Sequence, residues 1–424
     1  MRELFNFKDK KFAVYGLGLT GKSTVSFLKK NKANKIYTWD DYLNNENLKL
    51  KKIFKKNLNN VDYIVLSPGI NLKKSKFKQL IYKNKKKIIS DLDLFFLKNQ
   101  IKKSVIITGT NGKSTTCSLI HHILKKNKVR NELVGNIGKP ILSCKFFKNS
   151  VYVIEASSFQ LEYSQFVKPY CAAILNISKD HLDWHGTMKK YTRSKFKIFN
   201  NQSKDDIAFL NDLSLSKIYN KNNYLGKLKF VKNSFIKTED TQNKYLQLQA
   251  NKENINFAYL ITKIFKINKK NFLDSIRSFK GLEHRHETFL KFNNYTFIND
   301  SKATSFESTN QALKSNSNII WIVGGQPKKN DKIDIEKFKH KILKAFIIGN
   351  HKNFFVQQIK NKIKYEITKN LSSAVSKIFK SFQKNKNITV LLSPASASYD
   401  QFKNFEHRGE KFKNLVKEYV KKYN

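Results

Sequence analysis

The most specific chemistry in the sequence begins at Val105. Val105-Ile106-Ile107 reads as a buried strand, and it runs into Thr108-Gly109-Thr110-Asn111-Gly112-Lys113-Ser114-Thr115, a glycine turn followed by a helix start. Backbone N–H groups at such a start point at an anion, and the aligned peptide dipoles favour negative charge there. Lys113 can reach the β- and γ-phosphates of a nucleoside triphosphate, and the Ser114 hydroxyl can ligate Mg²⁺. Gly109 and Gly112 enclose only two residues, where the usual pattern has four, so the loop is a shortened variant.

A second glycine loop lies upstream, where Gly16-Leu17-Gly18-Leu19-Thr20-Gly21 follows an apolar run and Asp40-Asp41 ends the next one. Read alone, it suits NAD or the diphosphate of another nucleotide such as UDP, because the mechanism is only close backbone approach to phosphate at a helix end. Lys22-Ser23-Thr24 imitates the end of a triphosphate loop, but the tight loop before it is dinucleotide-like. Glu155, directly after Val151–Ile154, could hold Mg²⁺ as an acidic residue at the end of a neighbouring strand does in phosphate-loop enzymes. His181, beyond Ala172–Leu175, reads equally as a metal ligand or a loop hydrogen bonder. By spacing alone, Lys195 is one more solvated lysine.

These residues need strand ends to position them. Phe12–Tyr15, Ile36–Trp39 and Tyr63–Leu66 form one set of short apolar runs, and Ser104–Thr108, Val151–Ile154 and Ala172–Leu175 a second. Thr296–Asn299, Ile319–Val323, Ala345–Ile348 and Ile388–Leu392 form a third, and all three sets have helix-like segments between runs. Such alternation predicts parallel α/β structure with ligands at the carboxyl ends of the strands. The expected fold is α/β in three domains: a Rossmann-like one over 1–90, a central phosphate-loop ATPase-type one over 91–281 and a Rossmann-like one over 282–424.

Hydrophobic residues make up 40% of the 424, which excludes a disordered chain. The formal charge of +50 raises nucleic acid as a partner, but only six of the 82 basic residues are Arg and the Lys runs are scattered. Solvated surface lysines and no specific nucleic-acid partner are therefore expected. Cys117, Cys144 and Cys171 show neither disulfide nor zinc spacing, and no apolar run reaches membrane-span length. A soluble, monomeric, cytoplasmic protein without membrane contact is expected.

Gly109 to Thr115, Gly135-Asn136-Ile137-Gly138, Glu155-Ala156-Ser157-Ser158-Phe159-Gln160-Leu161-Glu162 and the His181 loop, in this order, resemble the central domain of the Mur ligases. His284-Arg285, Asn299-Asp300-Ser301-Lys302-Ala303-Thr304 and the stretch Leu392 to Gly409 resemble the branch of that family that adds D-glutamate. The resemblance spans nearly the whole chain and implies ATP-dependent joining of D-glutamate to UDP-N-acetylmuramoyl-L-alanine. It assigns the first glycine loop to UDP, with Leu19, Thr20, Asp40, Ser67 and Gly69 at its edge and Asn136, Ser157 and Gln160 nearer the sugar. ATP would lie on Gly109, Thr110, Asn111, Gly112, Lys113, Ser114 and Thr115, with Asn256 near adenine and with Arg285 and Asp300 reaching it from the last domain. Glu253 stands where the family's adenine segment usually has Asn, and Ser305 where Asn is common.

The same resemblance implies two Mg²⁺ ions held near Ser114, Glu155, His181 and Lys195, with Lys195 carbamylated by CO₂, since an ammonium cannot ligate a cation. Lys302, Thr304, Lys328, Ser398 and Phe405 would surround D-glutamate. The reaction would begin with attack of the substrate carboxylate on the γ-phosphate, Lys113 and Arg285 spreading the charge, and finish with attack of the amine on the acyl phosphate, with His181 a candidate base. A sister ligase or folylpolyglutamate-type synthase shares the central motifs but leaves Ser393 to Gly409 unexplained. An NAD-dependent oxidoreductase leaves Gly109 to Thr115 unexplained.

Overall fold

The computed structural model describes residues 5–43, 47–99, 101, 103–329, 331–381 and 387–423. Its contacts divide the chain into two compact units, one made of residues up to 247 with 251–279, the other of 280 onward with 248–250.

The first unit holds two sheets. In one, β1 (Lys11–Tyr15), β2 (Lys35–Trp39), β3 (Tyr63–Leu66) and β4 (Ile88–Ile89) lie in the order β2-β1-β3-β4, all parallel. In the other, β5 (Ser104–Thr108), β6 (Asn131–Gly135), β7 (Val151–Glu155), β8 (Cys171–Ile174), β9 (Ile207–Leu210) and β10 (Lys227–Phe230) are ordered β10-β9-β8-β5-β7-β6, again all parallel. Strands β5 and β7 are buried on both faces, as their continuous apolar sequences require. Four of these strands lie outside the sequence-predicted sets: β4 is only two residues long, β6 and β10 are interrupted by polar residues, and β9 is an apolar run that the sequence reading did not single out.

A helix over Asp91–Lys98 links the two sheets. The Ser90 hydroxyl accepts from the Asp93 N–H while the Asp93 carboxylate accepts from the Ser90 N–H, a reciprocal cap that fixes where the helix starts. Its Leu92, Leu94 and Phe95 lie in one apolar cluster with Phe12 and Val14 of β1 and Ile106 and Ile154 of β5 and β7, so both sheets share part of their core.

Burial raises the Asp91 carboxyl to about 6 against hydrogen bonds from Gln160 that favour its ionised form. Below the ordinary value of 3.8 the folded and unfolded chains are both protonated, so the group is neutral toward stability. Through the window from 3.8 to about 6 the unfolded chain releases its proton first, and the fold loses stability as pH rises. That loss persists above the window and is on the order of 3 kcal/mol. Asp91→Asn, which keeps an acceptor for Gln160, is expected to raise the melting temperature at pH 8 but not at pH 4. Equal shifts at the two values, read by thermal denaturation, would show that the carboxylate is not the source.

The second unit is one six-stranded sheet of β11 (Glu287–Phe292), β12 (Tyr295–Asn299), β13 (Ile319–Gly324), β14 (Ile342–Ile348), β15 (Tyr365–Ile367) and β16 (Ile388–Leu392), ordered β11-β12-β16-β13-β14-β15. Only β11 is antiparallel, joined to β12 by a hairpin. Apolar side chains fill both faces, with Phe297, Val390 and Phe412 on one and Trp321, Phe355 and Leu391 on the other. The buried Trp321 indole donates to the Ser393 carbonyl at 2.8 Å, anchoring the loop that follows β16.

Candidate active site

The loop after β5 forms the centre of the site. Gly112 caps the helix Lys113–Lys126 at φ +83°, and a Cβ there would stand 2.2 Å from Asn254 Oδ1. A side chain is thus excluded by backbone conformation and by space. Gly112→Ala is expected to raise the KM for ATP about tenfold by tilting the loop's N–H groups away from phosphate; an unchanged KM in a phosphate-release assay would refute that role for the loop.

The loop is fastened to the segment after β8. Asn176 accepts from Thr110 N through its carbonyl and from Asn111 N through its Oδ1, each at 2.9 Å, and Ser178 N donates to Thr110 Oγ1 at 3.0 Å. Lys113 Nζ bends back onto the carbonyls of Gly109 and Thr110, at 2.9 and 2.8 Å. Lys195, 1% exposed, donates to the same Gly109 carbonyl at 2.7 Å and lies 4.5 Å from the Tyr191 ring centre. Burial, aided by the charge of Lys113 and opposed by Asp180 and Glu155, holds the Lys195 amine well below the ordinary lysine range. That direction favours the uncharged, nucleophilic amine over the ammonium.

Ser114 and Glu155 are buried, at 4% and 1% exposure. Asn136 Nδ2 donates to Glu155 Oε1 at 2.7 Å, whereas the buried Oε2 has no hydrogen-bond partner among the described residues. An unpaired buried carboxylate oxygen is costly unless a cation completes it. With the Ser114 hydroxyl in the first turn of the helix that follows the loop after β5, the donor set of hard oxygens fits Mg²⁺. His181 takes φ +53° at the start of a short helix, stacks edge-on against Phe159 at 4.8 Å and approaches Asp180 Oδ2 at 3.3 Å.

In the first sheet, one carboxylate ties two loops together. Asp40 accepts from Leu17 N at 2.6 Å and from Tyr42 N and Leu43 N at 2.9 and 3.1 Å. Burial works against its charge, but these N–H groups and nearby Lys22 outweigh it and hold Asp40 below the usual carboxylate range. Ser67 Oγ donates to the Gly16 carbonyl at 2.7 Å, Leu19 is 83% exposed at the mouth, and Gly69 has open space where a Cβ would be. Ser67 and Asp40 therefore shape the loop, while Leu19 is exposed and Thr20 half-buried.

Three of the expected contact residues have their side chains engaged within the protein. Gln160, expected near the sugar, is 3% exposed, and its amide is spent on Ser157 through Oε1 and on Asp91 through Nε2, because it closes the cap of the helix Ser158–Tyr163. Ser157 serves the same cap through its Oγ. Asn256, expected near adenine, is fully buried, and its amide bonds the backbone of Ile236 and the carbonyl of Lys252. Asn254, on the same helix, lies against Gly112 of the loop and accepts from Thr116 Oγ1 at 3.1 Å. Neighbouring asparagines on one helix differ by about 200° in direction over two residues, and only the fold says which one points at the loop.

In the second unit, Asp300 accepts from His286 N at 3.0 Å and from Ser393 Oγ at 2.7 Å. Burial pushes its carboxyl up to about 7 against those bonds and the charges of Arg285 and Arg408. Lys302 Nζ lies 3.7 Å from the Phe405 ring centre, and Thr304, Lys328 and the buried Ser398 stand on the loops after β12, β13 and β16.

Residues 10–90 match the family described as Mur ligase MurD-like, N-terminal domain, and residues 107–277 match the Mur ligase middle domain. A UDP-N-acetylmuramoylalanine–D-glutamate ligase of Rickettsia prowazekii is 38% identical, over 97% of this chain and 98% of that protein. The chain belongs to the Mur ligase family. Proteins of the same name from Francisella tularensis and Wolbachia pipientis are 35% and 32% identical, each covering 97% of this chain. At the level of fold, this Mur ligase is similar to the MurF ligase of Thermotoga maritima, solved in complex with ADP, with a TM-score of 0.62 at 13% identity and complete coverage of both chains. The UDP-N-acetylmuramate–alanine ligase of the same organism gives 0.55 at 15% identity, over 96% of this chain and 99% of the other. Among the described residues no helix is long and apolar enough to cross a membrane.

Proposed function

We propose that this Mur ligase joins D-glutamate to UDP-N-acetylmuramoyl-L-alanine, converting ATP to ADP and phosphate, as a monomer in the cytoplasm. The observation that carries the reading is the match of relatives bearing that name along 97% of the chain, and the site's chemistry supports it. The helix start at Gly112 and the ammonium of Lys113 hold the triphosphate, while the loop on Asp40 and Ser67 receives the UDP end of the substrate. The substrate carboxylate attacks the γ-phosphate, forming an acyl phosphate and releasing ADP. The amine of D-glutamate then attacks the acyl carbon, losing a proton to a base such as His181, and phosphate departs. Bound Mg²⁺ supplies charge neutralisation for the phosphates. Glu155, Ser114 and His181 would hold it, with a second ion on a carbamate formed when the neutral Lys195 amine adds to CO₂. Lys302, Thr304, Lys328, Ser398 and Phe405 receive D-glutamate, whose two carboxylates call for cationic and hydroxyl donors held apart.

The test is phosphate release with ATP, Mg²⁺ and UDP-N-acetylmuramoyl-L-alanine, comparing D-glutamate with L-glutamate, L-alanine, L-lysine and meso-diaminopimelate and confirming product mass. Turnover with D-glutamate alone supports the reading; turnover with a different amino acid moves the specificity within the family. A carbamate carbon in ¹³C spectra of protein equilibrated with labelled CO₂, absent in Lys195→Ala, tests the modified lysine. Sedimentation tests the monomer.

A further inference from the structure

Arg408, in the first turn of the helix Phe405–Tyr423, is 1% exposed, among the largest fully buried side chains of the protein. Its Nε donates to Ser301 Oγ at 3.0 Å, and its Nη2 donates to the carbonyls of Ser301 at 2.8 Å and Ser396 at 2.9 Å. Ser301 Oγ in turn donates to the Phe405 carbonyl at 2.8 Å. Nη1 is buried with no hydrogen-bond partner among the described residues. It lies against Gly325, where a Cβ would stand 3.2 Å from it, 2.5 Å from Ser396 Oγ and 2.4 Å from the Ala397 carbonyl. Gln326 and Ala397 exchange two backbone hydrogen bonds, at 2.8 and 3.0 Å. One guanidinium therefore touches the segment after β12, the segment after β16 and the glycine turn after β13, and through Ser301 it is tied to the start of its own helix. Burial pulls its pKa down to about 10 against the charges of Asp400 and Asp300, so it stays cationic at neutral pH.

We propose that Arg408 is the positioning residue of the amino-acid pocket, setting the spacing between the segments that carry Lys302, Thr304, Lys328, Ser398 and Phe405. The proposal rests on the reading that those residues receive D-glutamate. Its physical basis is geometric. A planar fork reaches three acceptors in fixed directions, and a lysine ammonium in the same place is a point charge on a flexible stem. A ligand with two carboxylates is sensitive to that spacing because both ends must meet their donors at once.

The test uses the full chain, with D-glutamate, ATP and UDP-N-acetylmuramoyl-L-alanine each varied while the other two are saturating. Arg408→Lys is expected to raise the KM for D-glutamate about tenfold and to leave the other two KM values within about twofold, since a displaced donor weakens binding only where it is used. A KM for D-glutamate equal to that of the wild type, or a parallel rise in all three, overturns the proposal. Should Arg408→Lys fail to fold, Ser301→Ala removes the Nε acceptor and the bond to the Phe405 carbonyl while keeping the arginine. It is expected to raise the same KM about threefold; no change again overturns the proposal. A wild type that uses a different amino acid strikes the underlying reading, and the same split for that amino acid would still support Arg408.

Discussion

Lys113→Met is expected to lower the rate of phosphate release about a thousandfold, the scale on which losing one preorganised charge at a developing phosphoryl or oxyanion centre slows catalysis. The side chain sits at the start of the helix, its Nζ resting on the carbonyls of Gly109 and Thr110, 2.9 and 2.8 Å away. Those are the loop's own acceptors, so the ammonium can exchange them for phosphate oxygens without disturbing the core. The substitution has a second effect of known sign. Lys113 is one of the charges that hold the Lys195 amine below its ordinary range, so its removal lets Lys195 keep a proton to higher pH and makes it a poorer nucleophile toward CO₂. Fluorescent-nucleotide binding beside steady-state turnover separates loss of chemistry from loss of binding: nucleotide should still bind, while turnover collapses. A variant within tenfold of wild-type turnover would remove Lys113 from the chemistry.

Glu155→Gln is expected to lower turnover by about a hundredfold or more at fixed Mg²⁺ and to shift the half-saturating Mg²⁺ concentration upward by about tenfold. The substitution keeps the size of the side chain and the acceptor that Asn136 uses, but it puts a neutral amide where the unpartnered Oε2 now lies. Asn136→Ala should shift the same curve less, because it frees the carboxylate to rotate without removing its charge. A Mg²⁺ titration decides: a Glu155→Gln curve that overlays wild type would show that Oε2 faces no cation, and its burial would then need another explanation.

Much of this was legible in the sequence because it depends on local order. A strand, a glycine turn and a helix start must be consecutive to present N–H groups to phosphate, so Gly109 to Thr115 announced its chemistry through residue types alone. The three sets of apolar runs predicted strands that the structure contains, since continuous runs fit strands buried on both faces. The weak edge strands β4, β10 and β15 carried no such pattern. The antiparallel hairpin of β11 and β12 was hidden too, because Glu287–Phe292 mixes Glu, Thr and Lys with apolar residues in no regular alternation at the sheet's edge.

What the sequence could not decide was direction. Gln160, Asn256 and Asn254 are all amides in plausible places, and only packing shows that the first two are spent on a helix cap and on the backbone of Ile236 while Asn254 meets the phosphate loop. Lys195 looked like any of the many lysines until its burial against Gly109 and Lys113 set it apart. Arg408 was part of a recognisable motif, yet its grip on Ser301 and Ser396 joins positions about a hundred residues apart in one case and a dozen in the other. The proposed phosphate loop is built from neighbours in the chain, which sequence order states directly. The partners of buried polar groups were fixed by the tertiary fold, because a hydrogen bond depends on where a side chain points and on what burial leaves within its reach.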